Sequence, residues 1–284
     1  MKCKAYAKIN LCLDVVGKRE DGYHELDMIM MPLELHDEIT IELAKEDVYS
    51  CNIEGLVMDE TNTVVKSVEL MRKTFGLKEH FHVHIEKHIP AEAGLAGGSA
   101  DGAAVLRAIR KLCHVDITIE ELAQLGKQVG ADVPFCVLSQ CAIVKGIGEK
   151  LEPFDFSYPL HVVLIKPNKG VSTGKAFGML DFHKCEHPDS AKVKEVLCAH
   201  EFEKLQDVIA NSLEYSAFQL VPEIKDIKKD LLDMGFMSVL MSGSGSTVFA
   251  LSEDKQLAQK AVEKYKKKDG YFALITSFRY KKDL

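Results

Sequence analysis

The segment Pro90-Ala91-Glu92-Ala93-Gly94-Leu95-Ala96-Gly97-Gly98-Ser99-Ala100 carries the strongest chemical signal in the chain. An alternating apolar run precedes it and a helical pattern follows. Glycines let successive backbone N–H groups approach a phosphate without side-chain obstruction. The helix that follows presents unpaired N–H groups and the positive end of its dipole to an anion. Ser99, at that terminus, is placed to ligate Mg²⁺ or to donate to a phosphate. A plain turn closed by a serine cap fits the same residues, so this loop alone leaves both readings open.

Other phosphate motifs are missing. The chain has no G-x-x-x-x-G-K-[ST] and no H-R-D or D-F-G set, which excludes a P-loop NTPase and a protein kinase. The loop also lacks G-x-G-x-x-G, which weakens a dinucleotide reading.

Three further segments have the right residue types for catalysis. In Gly130-Ala131-Asp132-Val133-Pro134-Phe135, Asp132 ends a turn and Pro134 suits the start of a short helix. A carboxylate there can accept a proton from an attacking hydroxyl or simply cap the helix. In Ala7-Lys8-Ile9-Asn10, a lysine sits inside an apolar strand. A buried ammonium needs a partner, and Asp132 would supply one; otherwise Lys8 snorkels from a strand edge. Ser242-Gly243-Ser244-Gly245-Ser246 is either a second loop near phosphates or a hairpin turn.

The elements that must position these residues follow from periodicity. Strands are expected at Ala5–Val16, Leu26–Leu35, Glu38–Leu43 and Phe81–Glu86, with a charged turn at Gly17–Gly22. Helices are expected at Asn62–Phe75, stopped by Gly76, at Ser99–Leu112, and from the capping box Thr118–Glu121 to about Val129. Gly146–Pro159, rich in Gly, Pro and charge, marks a soft boundary. Beyond it come a strand at Leu160–Ile165, helices near Val193–Ala199, Phe202–Ile209 and Pro222–Met234, and strands at Ser238–Met241 and Thr247–Leu251.

The 284 residues suffice for one large domain or two modest ones, and 46% apolar residues can fill a core. A net charge of -7 argues against non-specific nucleic-acid binding. No apolar run approaches a membrane span and the first residues are too polar for a secretory signal, so a cytoplasmic location is expected. Eight cysteines form no Cys-x-x-Cys pair and read as reduced thiols. His80, His82 and His84 alternate as one polar strand face rather than a metal set.

Taken together, the four segments resemble the GHMP kinase superfamily. One branch, the kinases of a cytidine diphosphate-linked methylerythritol, is similar in more places. The matching segments are Ala7–Leu11, Gly17–Glu25, Gly130–Phe135, Gly146–Glu149 and Lys166–Thr173, in the same order. Asp21-Gly22-Tyr23-His24 is the most specific of them. The resemblance covers essentially the whole chain.

The resemblance implies an α+β, two-domain GHMP kinase fold. An N-terminal ATP-binding domain over residues 1–153 would be mixed α/β with a left-handed-crossover-type sheet. A ferredoxin-like C-terminal domain would span 154–284, with the active site in the cleft between them. ATP and Mg²⁺ are the implied cofactors. Pro90 through Ala100 would hold the nucleotide phosphates, Ser99 the metal, and Asn62 would approach the adenine. Lys8 and Asp132 would be the catalytic pair. Asn10, Tyr23 and His24 would line the substrate pocket, with Ser172 and Thr173 reaching in from the second domain. The implied partner is a small molecule, with no nucleic acid and no membrane, bound by a monomer or weak homodimer. A kinase for another small alcohol, or a nucleotide-binding paralogue without turnover, remains open.

This chain departs from the family pattern at three places. Ala96 interrupts the glycine run, Ala100 replaces an expected serine, and Gly102 sits in the helix where alanine is expected to be favoured by roughly 0.5–1 kcal/mol.

Overall fold

The computed structural model describes residues 1–280. In chain order the first half contains β1 (Lys2–Lys18), β2 (His24–Ala44), β3 (Val48–Cys51), α1 (Thr63–Phe75), β4 (His80–Glu86), α2 (Gly97–Leu112), α3 (Ile119–Gly126), α4 (Val133–Leu138), β5 (Ala142–Gly146) and β6 (Lys150–Pro153). The second half contains β7 (His161–Lys166), α5 (Thr173–Gly178), α6 (Ser190–Cys198), α7 (Phe202–Val208), α8 (Glu214–Leu220), α9 (Glu223–Asp233), β8 (Ser238–Met241), β9 (Val248–Ser252), α10 (Lys255–Lys266) and β10 (Phe272–Ser277).

Two sheets organise the molecule. The first runs β3-β4-β2-β5-β6, with β1 antiparallel along β2. The second runs β10-β7-β9-β8, and every pair in it is antiparallel. Relabelled by order within the second half, that arrangement is 4-1-3-2, the ferredoxin-like order expected. The architecture is α+β.

β1 reaches both cores because its pleat changes phase twice. Its register against β2 slips between Tyr6 and Lys8 and again between Asn10 and Cys12. A one-residue slip turns every later side chain to the other face. Accordingly Ala5 packs in one hydrophobic cluster, Ala7, Ile9 and Leu11 in a second, and Leu13 and Val15 in the first again. The second cluster joins the faces of both sheets, through Ile29, Met31 and Leu33 of β2 and Val162, Leu164, Phe249 and Leu251 of β7 and β9. Lys8 and Asn10 lie between the two slips and so turn away from that cluster, toward the loop that begins at Pro90.

Two expected strands merge: Leu26–Leu35 and Glu38–Leu43 are one strand, β2, running through His36 and Asp37. Helix α2 begins at Gly97, two residues before the expected Ser99. The penalty expected for Gly102 is also corrected. A Cβ there would lie 3.0 Å from Ser67 Oγ and 3.1 Å from the Thr63 carbonyl, so glycine is what allows α1 and α2 to approach. The capping box at Thr118 and Glu121 is present, with both reciprocal bonds formed.

Candidate active site

The glycine loop is built on a left-handed turn. Ala96, the residue before α2, has φ 58° and ψ 30°, and no side chain caps the helix. The first backbone bond into the helix runs from Ala100 N–H to Ala96 O at 2.8 Å. Among the described residues the N–H groups of Gly97, Gly98 and Ser99 therefore stay uncommitted, at the positive end of a 16-residue helix. Thr63 Oγ1 donates to Gly98 O at 2.6 Å and steadies the turn from the side.

The loop rests on two partners. Gly94 O accepts from Lys8 Nζ at 3.1 Å and from Ser242 Oγ at 2.9 Å. The Ser242–Ser246 segment crosses beneath it, with Ser246 N–H to Glu92 O at 3.4 Å and Thr247 N–H to Ala93 O at 3.3 Å. Such contact needs residues without Cβ. At Gly94, with φ +72°, a Cβ would stand 2.0 Å from Ser242 O; at Gly243, one would stand 3.1 Å from Gly94 O. The serine–glycine segment is thus the hairpin connection between β8 and β9, docked on the glycine loop.

Lys8 and Asp132 come together at one end of this loop. Lys8 Nζ lies 3.6 Å from Asp132 Oδ2, and the two side chains are 4% and 32% exposed. Lys8 also donates to Asn10 Oδ1 at 2.6 Å. Gly94 O and Asn10 Oδ1 thus accept two hydrogen bonds from the ammonium and the Asp132 carboxylate balances its charge, which offsets its desolvation. Asp132 stands at the N-cap position of α4, yet its carboxylate makes no capping bond. It is open to solvent on one side and to a cation on the other. Asn10 is buried, its N–H donating to Ser242 Oγ at 3.2 Å.

The remaining expected residues divide. His24 opens β2, and its ring stacks on Phe177 of α5 with centroids 5.0 Å apart at 29°. Burial, helped by Lys18, holds the His24 imidazole below the ordinary range. Tyr23 is 60% exposed in the β1–β2 turn. Thr173 Oγ1 bonds Ser244 Oγ at 2.8 Å, which ties α5 to the serine–glycine loop, and Ser172 precedes it as N-cap residue. Asn62 is the one whose side chain is visibly employed elsewhere. Its Oδ1 caps α1 by accepting from Val64 N–H at 2.9 Å, and its Nδ2 donates to Val57 O at 2.9 Å.

Phe177 was not legible in the sequence, and neither was the ion cluster of Asp37, Lys87 and Asp101 behind the loop. The signals were a lysine three residues before Pro90 and an aspartate on an otherwise apolar helical face.

The family model for the GHMP kinases N terminal domain matches residues 62–140, and that for the GHMP kinases C terminal domain matches residues 193–270. A 4-diphosphocytidyl-2-C-methyl-D-erythritol kinase of Clostridium tetani is 40% identical over 276 residues, 94% of this chain and 96% of its own. One of Bacillus cereus is 42% identical over 250 residues, 87% and 86% of the two chains.

The chain belongs to this family of GHMP kinases.

It is an ATP-dependent kinase with an alcohol acceptor. A crystal structure of a 4-(cytidine 5'-diphospho)-2C-methyl-D-erythritol kinase superposes with a TM-score of 0.82 at 31% identity, covering 98% of this chain and 99% of that one. A homoserine kinase from Cytophaga hutchinsonii shares the fold at 19% identity and a TM-score of 0.75. Among the described residues no helix of the kinase is long and apolar enough to cross a membrane.

Proposed function

We propose that this kinase transfers the γ-phosphoryl group of ATP to the 2-hydroxyl of 4-diphosphocytidyl-2-C-methyl-D-erythritol, giving the 2-phosphate and ADP in non-mevalonate isoprenoid precursor synthesis. The observation that carries the chemistry is the Lys8–Asp132 pair at the end of an uncapped glycine loop. The substrate oxygen attacks phosphorus, an O–P bond forms, and the bond to the ADP oxygen breaks. Asp132 orients the hydroxyl and receives its proton. Lys8 steers that oxygen and offsets charge developing in transfer. Such transfer depends mainly on positioning and electrostatics, which a two-residue pair and a backbone cradle can provide.

The free N–H groups of Gly97, Gly98 and Ser99 fit a triphosphate. Residues Pro90 to Ala96 shape the approach, and Asn62 borders it beside Thr63. The Ser99 hydroxyl has no hydrogen-bond partner among the described residues, and Mg²⁺ takes most of its ligands from water and phosphate oxygens. One free hydroxyl therefore fits the ion, which would neutralise phosphate charge when bound. The cytidine end is read at Tyr23, His24 and Phe177, with Asn10, Ser172 and Thr173 around the reacting alcohol. We place the domain boundary at 153/154 and the enzyme in the cytoplasm, as a monomer or weak homodimer, with no nucleic-acid role.

The test is a coupled ADP-release assay with ATP, Mg²⁺ and 4-diphosphocytidyl-2-C-methyl-D-erythritol. Turnover is expected. ATP binding without turnover on this alcohol would refute the substrate assignment.

A further inference from the structure

Behind the phosphate loop lies a buried ion cluster that the reaction does not touch. Asp37 is fully buried in the middle of β2. Its Oδ1 accepts from the backbone N–H groups of His88 at 2.5 Å and Ile89 at 2.7 Å, and its Oδ2 accepts from Lys87 Nζ at 2.5 Å. The same ammonium donates to Asp101 Oδ2 at 2.6 Å. Asp101 is 4% exposed, in the second turn of α2, and its Oδ1 is buried without a hydrogen-bond partner among the described residues.

Lys87 therefore links the residues that enter the loop to those that leave it. It precedes Pro90 by three residues, and Asp101 directly follows Ala100. The ammonium also lies beneath the first residue of α2: a Cβ at Gly97 would stand 3.4 Å from Lys87 Nζ and 3.1 Å from Ile89 Cγ2. Packing alone does not call for this cluster, because apolar side chains of similar volume usually stabilise a core as well as buried ions do. What ions add is a fixed geometry, with donors and acceptors at set distances.

We propose that Lys87, clamped between Asp37 and Asp101, is a positioning residue for nucleotide. It holds the two arms of the loop together and so sets the spacing of the N–H groups that receive the triphosphate. This rests on the reading of Pro90–Ala100 as the ATP phosphate site.

The test is direct binding by titration calorimetry without the alcohol, using MgATP and, for the other half of the cleft, CDP. In Lys87→Met the ATP Kd is expected to rise about tenfold or more, while the CDP Kd stays within about twofold. Asp101→Ala frees the far arm of the loop from Lys87 and is expected to raise the ATP Kd about threefold or more, again with the CDP Kd within about twofold. Unchanged ATP binding in a folded Lys87→Met protein, or equal loss of ATP and CDP, overturns the proposal. So does an unchanged ATP Kd in Asp101→Ala, which decides alone if circular dichroism shows Lys87→Met to be unfolded. Wild-type protein that binds no ATP would instead sink the function on which the proposal rests.

Discussion

Lys8 and Asp132 form an asymmetric pair: the ammonium is sealed and donates to Asn10 Oδ1 and Gly94 O, while the carboxylate 3.6 Å away is a third exposed. The sealed partner can hold charge without moving, and the open one can meet a substrate. Asp132→Asn is expected to lower kcat by about 10²–10⁴-fold with little change in ATP affinity, since proton acceptance and orientation are lost but not the cradle. Lys8→Met should be similarly inactive. Its Tm should fall, because the buried Asn10 Oδ1 loses its ammonium donor. Kinetics and a thermal melt on both variants check this; a Lys8→Met enzyme with near wild-type kcat would refute the pair.

The seam between the two glycine loops makes a sharper steric forecast. Gly94→Ala places a methyl 2.0 Å from the Ser242 carbonyl at φ +72°, so the loops must separate. Both Tm and ATP affinity should drop. Gly98→Ala is the control, since its Cβ meets only Thr63 Oγ1 at 3.6 Å. It should melt like wild type, so any affinity it loses comes from the ligand side. Equal melting temperatures for the two variants would show that the seam is not tight.

Ala96 carries the reverse prediction. A non-glycine residue at φ 58° costs about 1–2 kcal/mol relative to right-handed backbone. Ala96→Gly is therefore expected to raise Tm by about 2 °C and to tighten ATP binding, by removing a methyl from the approach. A lower Tm would mean that the alanine packs usefully where it stands.

Much of this site was legible because it breaks local rules. A lysine inside an apolar strand and a glycine run between a strand and a helix are anomalies that single-residue chemistry exposes. What stayed hidden depends on partners distant in sequence. Asp37 and His36 read as a break between two strands, yet the backbone N–H groups of residues 88 and 89 and the Lys87 ammonium let the strand run on through a buried aspartate. Gly102 looked like a weak helix residue until α1 was seen against it. The elements β3, β5, β6, α5, α8, α10 and β10 went unread, because short helices and short strands leave little periodicity, and β6 lies inside the stretch read as a boundary.

Phe177 and His24 yield a test of the proposed cytidine end. Their stacked rings join α5 to the start of β2, and the depressed His24 keeps that face uncharged at neutral pH. Loss of an aromatic face that stacks a base typically costs about 1–3 kcal/mol. Phe177→Ala is expected to weaken CDP binding about tenfold or more while ATP binding holds, and Phe177→Tyr should restore it. Unchanged CDP affinity in Phe177→Ala would remove this ring from the pocket.

The last forecast concerns the segment between α5 and α6, which His187 ties back to β1. Its Nδ1 faces Asp14 Oδ1 at 2.6 Å and its Nε2 faces Phe182 O at 3.1 Å. Both partners accept, so only the imidazolium, with two N–H donors, satisfies both. The Phe182 carbonyl, then Asp14, raise its pKa above the ordinary histidine value. A raised folded-state pKa means that the tie is fully present below the unfolded value of about 6.5 and is lost as pH climbs through the folded value. Hydrogen-exchange protection of the amides from Phe182 to His187, corrected for intrinsic rate, should therefore fall between pH 6 and pH 9 in the wild type. In His187→Gln it should be low and flat. Protection that ignores pH in both proteins would show that the segment is held by Ser212 Oγ on Glu186 O and by the Ser190–Asp27 bond, not by this charge.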